Sequence, residues 1–265
     1  MRNQFLPLVR NELTKAMRRK LPYFGLLILG LVAFITYFAA GRMNNGSTVN
    51  GWGYLAFSMQ LIFTDIGPIF VTVFAAMLLS EETGTGTIRS LLAAPIHRWE
   101  LYLAKATVGL LYALALSFSA LLGSWLLAKT HYHFGHIGDS FGTIYAQRQV
   151  LREFVIGYLL SWIPLAALVM YGLLIGTLVR SSGAAVATAI GCLILIDFTK
   201  HWLGIESYIF TTYITYPWVN LQQMAQGMDY AWLPDVWKMA GWSGAYLVAT
   251  TATGLVVFTR SDLNH

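Results

Sequence analysis

Charge is what this chain has least of. Only 11% of its residues are Asp, Glu, Lys or Arg, while 57% are hydrophobic; a soluble domain carries about 25% charged residues. A chain of 265 residues with this balance has too little polar surface to face water on all sides, which argues against one or two soluble domains. Cysteine is almost missing. Cys192 stands alone inside an apolar run, so there is no disulfide framework and no thiolate metal site. A phosphate-binding loop is missing too, because the stretch from Gly84 to Arg89 lacks the Gly-Lys-Ser/Thr ending and opens no strand-to-helix turn. The chain is therefore not expected to bind ATP itself. Ser and His never occur together within an apolar run, which excludes the nucleophile and base of an intramembrane hydrolase. The net charge of +5 does not point to nucleic acid, since the basic residues collect beside apolar runs and do not interleave with aromatics.

What is present is a series of six apolar runs, at 23–40, 52–79, 101–127, 154–179, 184–198 and 239–258. Most reach the ~20 residues that a helix needs to cross a bilayer. The fifth is barely long enough and is followed by Lys200 and His201. The fold class expected is an all-α membrane protein with six transmembrane helices, in one domain over residues 1–265. Residues 2–20 form an amphipathic helix, with Phe5, Val9, Leu13 and Met17 on the apolar stripe, Leu6 and Ala16 beside it, and Asn11, Thr14, Lys15 and Arg18 opposite. Such a helix is suited to lie in the headgroup layer against anionic membrane lipid. Of the 17 basic residues, only Arg42, Lys129, Arg148, Arg152, Lys200 and Lys238 fall on the side away from the N-terminus. That bias places both termini, and the segment 81–98, in the cytoplasm of a multi-pass membrane protein. On the outer side, segment 199–238 is dense in Trp, Tyr and Phe, the composition of an interfacial belt.

Polar residues within or beside the runs are the candidates for a pathway. Asp65 precedes Gly67 and Pro68 in the second run, where a helix is expected to kink and free backbone carbonyls. A charge at a helix centre costs about 2.5–3.5 kcal/mol on the insertion scale, so Asp65 must face protein or water, or be protonated. It is either a point on a substrate or ion pathway or an acid bonded to a neighbouring helix. Asp197, with Lys200 and His201 at helical spacing, reads as a local ion pair at the interface, with a place on the pathway as the alternative. His131, His133 and His136 offer three imidazoles to zinc or copper, but no cysteine or carboxylate completes a recognisable ligand spacing. A membrane-embedded enzyme would need these histidines and Asp65 or Asp197 at one depth, and the topology separates Asp65 from the histidine loop.

One polar island remains, between the second and third runs. Thr87 caps a short helix that puts Ile88, Leu91 and Leu92 on one face and Arg89 on the other, and Pro95 stops it. A second helix starts around Arg98 and runs into the third span. Glu82, then Gly86-Thr87-Ile88-Arg89-Ser90-Leu91-Leu92-Ala93-Ala94-Pro95-Ile96, then Arg98-Trp99-Glu100-Leu101 and Lys105 resemble the cytoplasmic signature of bacterial type-2 ATP-binding-cassette (ABC) permeases. The resemblance implies the transmembrane subunit of an ABC exporter, without enzymatic activity of its own. It implies pairing with a second permease, often an identical one, and with two ATPase subunits that carry ATP and Mg. It also implies that the segment from Glu82 to Pro95 is a coupling helix that docks in a groove on the ATPase. Ile88, Leu91 and Leu92 then anchor in that groove, with Glu81, Glu82 and Arg89 at its rim. Arg98 to Lys105 carries the motion into the third span. A sensor or assembly factor that reads an ATPase through the same helix, without moving cargo, is the alternative.

Overall fold

The computed structural model describes residues 5–43, 50–84, 97–139, 142–233 and 235–260. The chain opens with α1 (Phe5–Met17) and α2 (Leu21–Met43), and continues through α3 (Gly51–Leu61), one π-helical turn (Ile62–Ile66) and α4 (Gly67–Gly84). Then come α5 (Arg98–His131), a short hairpin of β1 (Ile137–Asp139) and β2 (Gly142–Tyr145), α6 (Gln147–Leu178) and α7 (Ser182–Leu203). A 3-10 turn (Glu206–Tyr208), α8 (Thr212–Ala225) and α9 (Asp235–Arg260) complete it. Five helices, α2, α5, α6, α7 and α9, are long and apolar enough to cross a membrane, and α3 and α4, bent by 42° at the break between them, pass the same test only as a pair. The protein is an all-α membrane protein. In α5 the 34 residues extend about 51 Å, beyond the ~30 Å of hydrocarbon, so this helix projects from the bilayer.

The bend of the second span has a local cause. Pro68 has no N–H to give, and the Gly67 N–H reaches back five residues to the Ile62 carbonyl, which widens the turn. A side chain at Gly67 would lie 2.9 Å from that carbonyl oxygen. The Gly67–Pro68 pair thus bends the helix, but the irregular turn starts upstream and contains Asp65. At the centre of the bundle is α6, packed on α4 and α9. A Cβ at Gly172 would meet the Thr72 carbonyl at 2.8 Å, and one at Gly176 the Ala76 carbonyl at 2.3 Å. Two glycines four residues apart therefore let the backbones of α4 and α6 touch, the small-residue approach of helices in lipid.

Three expectations need correction. The buried face of α1 is Leu8, Glu12 and Ala16, while Leu6 and Met17 are exposed; the stripe is rotated because α1 packs along the start of α5. The fifth span does not stop at residue 198. It runs to Leu203 and ends at Gly204, whose φ of +64° makes the left-handed cap, so Asp197, Lys200 and His201 lie within the helix. The aromatic segment 199–238 is largely helical, and its rings divide between two environments. Trp202, Tyr208 and Trp237 are exposed as a belt requires, but Phe210, Tyr213 and Trp218 are buried. Their burial follows from α8 packing between α3 and α6, where Trp218 stacks on Phe63 with 5.8 Å between ring centroids.

Candidate functional site

The ends of α4 and α5 that flank segment 85–96 meet α1 in a ring of four charges. Lys105 on α5, fully buried, gives one hydrogen bond to Glu12 Oε2 at 2.6 Å and pairs with Glu82 Oε2 at 2.7 Å. Lys15, one turn along α1, takes the other oxygens, Glu12 Oε1 at 2.6 Å and Glu82 Oε1 at 3.0 Å. Each carboxylate is thus bridged by both ammonium groups, and the ring is neutral. Isolated charges would not survive burial here, but two of each sign in alternation do, since each desolvated ion has two partners. Burial on its own pushes the Glu12 carboxyl up; the charge and hydrogen bond of Lys105, with those of Lys15, outweigh it and hold Glu12 below its ordinary value. Lys15 is held above its ordinary value, because bonds to Glu12 and Glu82 outweigh its own partial burial. Beside the ring Arg19 Nη2 meets Glu81 Oε2 at 2.7 Å.

Further bonds bring the remaining helices to the same end. Arg98 donates to the Thr259 carbonyl of α9 at 3.2 Å, and Thr83 Oγ1 donates to the Arg180 carbonyl between α6 and α7 at 3.3 Å. The helix α5 begins at Arg98, as the sequence leads one to expect, with Glu100 accepting from the His97 N–H at 3.4 Å. Segment 85–96 itself, with Gly86, Thr87, Ile88, Arg89, Leu91, Leu92 and Pro95, lies outside the described residues. Its two anchors do not: Glu81 and Glu82 before it and Arg98 after it are each tied to other elements.

Glu12 was missed by sequence reasoning. Its signal was there, as an acid at the four-residue spacing of Leu8 and Ala16 in a segment otherwise charged by Lys and Arg. Lys15, assigned to the lipid-facing side, turns inward to it instead.

A second feature lies towards the opposite end. A lateral cavity of about 430 Å³ opens between the bent second span, α7 and the start of α8. Thr64, Pro68 and Ile69 line one wall, and Leu193, Asp197, Phe198, His201 and Trp202 the other. The structure thus brings Pro68 and Asp197 to one site, with Gly67 buried beside Pro68. Asp65 lies in the π-helical turn that precedes Gly67. Asp197 pairs with Lys200 and accepts from Thr211 Oγ1 at 3.2 Å, and buried Lys200 donates to the same hydroxyl at 3.4 Å. His201 stands apart from that pair and meets Glu206 Oε1 at 2.6 Å.

His131 ends α5, with His133 and His136 in the connection beyond, all three exposed. Among the described residues no three His, Cys, Asp or Glu side chains converge as a metal site would need.

A family model described as "ABC-2 family transporter protein" matches residues 8–196. The chain is also similar to an uncharacterized protein, YhcI, of Bacillus subtilis (strain 168). The two are 24% identical over 190 residues, which cover 69% of this chain and 59% of that relative. The chain thus spans about 59% of the length of the curated relative it matches.

Proposed function

This chain belongs to the ABC-2 transporter family, and from that membership we propose that it is the membrane subunit of an ATP-driven exporter in the cytoplasmic membrane. On this reading ATP and Mg bind to two partner ATPase subunits, and segment 85–96 is the contact that receives their motion. The single observation that carries the reading is the four-charge ring. It joins α4 and α5 at the two ends of that segment and fastens both to α1. Breaking a buried ion pair by losing one partner costs about 3–5 kcal/mol, so α4 and α5 do not separate readily when the segment between them is pushed. A displacement would pass into both spans together as a rigid-body movement. The bonds from Arg98 to α9 and from Thr83 to the turn before α7 extend the same block.

The cargo would then meet the cavity beside Pro68 and Asp197. It lies where α4 joins the irregular turn, the part of the second span best able to change its bend. On this reading a second permease copy pairs with this chain in the membrane.

The test is recovery of the tagged chain from its native membrane, followed by measurement of ATP hydrolysis in the recovered complex. An ABC ATPase is expected to accompany the wild type, and its stimulated hydrolysis is expected to vanish with Leu91→Asp or Leu92→Asp while the amount of inserted chain is unchanged. Full hydrolysis in both variants would sink the coupling role of this segment.

A further inference from the structure

A groove separate from both sites runs down the lipid-facing seam between α5 and α6, towards the end that carries the hairpin. Its volume is about 280 Å³, with Leu122 and Trp125 of α5 on one side, Leu151, Val155 and Leu159 of α6 on the other, and Leu55 of α3 among its lining residues. The five wall residues are exposed, so the groove is open along the side that the bilayer covers. From Trp125 down to Phe118, also in the lining, it extends about 10 Å along α5, within the ~15 Å of hydrocarbon in one leaflet. The lining is mainly apolar, with the Tyr158 hydroxyl paired with Ser117 and the Trp52 indole N–H given to the Gly135 carbonyl, and so suits a chain of methylenes.

Its mouth is different. Lys129 lies one turn beyond Trp125, with Nζ 4.9 Å from the centre of that indole. Arg152 follows Leu151, Arg148 lies one turn further out, and all three cations are exposed. The ion pairs at this end of the bundle engage Lys200, His201 and Lys238 instead. Among the described residues none of the three groove cations has a carboxylate partner. They stand at the depth where an apolar wall gives way to hairpin and loop, which is headgroup depth. Long basic side chains reach readily along that boundary.

We propose that this groove is a binding site for one anionic phospholipid of the hairpin-side leaflet, its acyl chain between α5 and α6 and its phosphate held by Lys129, Arg148 and Arg152. The apolar length selects an acyl chain, and three uncompensated cations at its end select a headgroup with net negative charge over a zwitterionic one. A second copy of the chain would have to place acidic residues against this mouth. Of the far-end acids Glu153, Asp197, Glu206, Asp229 and Asp235, four are already engaged, by Trp232, Lys200, His201 and Lys238, which leaves Asp229, exposed near Tyr145, as one acid to set against three cations.

The experiment is native mass spectrometry of the delipidated full chain in detergent, titrated with phosphatidylglycerol or phosphatidylcholine of identical acyl chains. One phosphatidylglycerol is expected to be held in preference. Lys129→Gln with Arg152→Gln should reduce that preference on the order of tenfold or more, while Lys238→Gln leaves it. Leu122→Trp, which fills the groove, should weaken retention of both lipids. Equal retention of the two lipids by the wild type, an unchanged preference in the Lys129 and Arg152 variant, or unchanged retention with Leu122→Trp would each overturn the proposal. A disulfide-linked dimer formed through Val155→Cys in a Cys192→Ala background would also overturn it, because a protein copy would then occupy the seam.

Discussion

At the scale of single residues, the ring around Lys105 makes a claim about pH. Glu12 has its folded value below the ordinary carboxylate value, so its contribution to stability is complete above about pH 4.3 and is lost as pH falls through the lower folded value. Lys15 is raised, so its contribution is complete below about pH 10.4 and disappears as pH rises through the higher folded value. Between those limits these two groups leave stability flat. The unfolding midpoint of the purified protein, followed against pH, should therefore fall on the acid side of about pH 4. Glu12→Gln should lower the midpoint at pH 7, with a loss of about 3 kcal/mol, and should remove most of the acid slope. A variant with the wild-type midpoint and slope would show that the ring does not hold α1 in place. Nothing local in the sequence could announce this ring, because Glu12 and Lys105 are separated by 93 positions. An acid on an amphipathic helix reads as solvent-facing until its partner is known, and a lysine beside it reads as lipid-facing for the same reason.

Elements were legible where length and apolarity determine them. The runs at 23–40 and 239–258 became α2 and α9 with a few residues added at each end; lipid requires every backbone group to be bonded inside the helix. The fifth span was underestimated because polar Lys200 was taken as an end, whereas its ammonium is bonded within the fold to Asp197 and Thr211. The helix α8 was illegible for another reason: rings such as Trp218 serve a belt or a core equally well, and only the position of α3 and α6 decides. Gly172 and Gly176 illustrate what composition conceals, since a glycine in a span is unremarkable until the facing backbone is located. At Gly176 that backbone is 2.3 Å from an added Cβ, so α4 and α6 would have to move apart. Gly176→Leu is expected to cost at least the roughly 1–3 kcal/mol of an overpacked core, read as a lower melting temperature in detergent. Gly183→Leu at the start of α7, where a Cβ meets nothing within 4 Å, is expected to leave it unchanged. Equal melting temperatures for the two variants would contradict the close approach of α4 and α6.

For the whole molecule, Arg98 bonded to the Thr259 carbonyl puts the last turn of α9 beside the start of α5. The ring of charges fixes α1 at that same end. Lys15, Arg19 and Lys105 are neutralised there by Glu12, Glu81 and Glu82, yet they still count towards orientation, because the positive-inside bias acts on Lys and Arg near the spans and is not a net-charge rule. The hairpin end should then face away from the cytoplasm. In a Cys192→Ala background, His133→Cys is exposed beyond the far end of α5 and Asn11→Cys is exposed on α1, and neither original side chain belongs to the ion ring. A membrane-impermeant maleimide applied to intact spheroplasts should label the cysteine at 133 and leave the one at 11 until the cells are opened. Labelling of both from outside, or of 11 alone, would reverse the orientation. It would also remove segment 85–96 from the compartment where an ATPase could meet it.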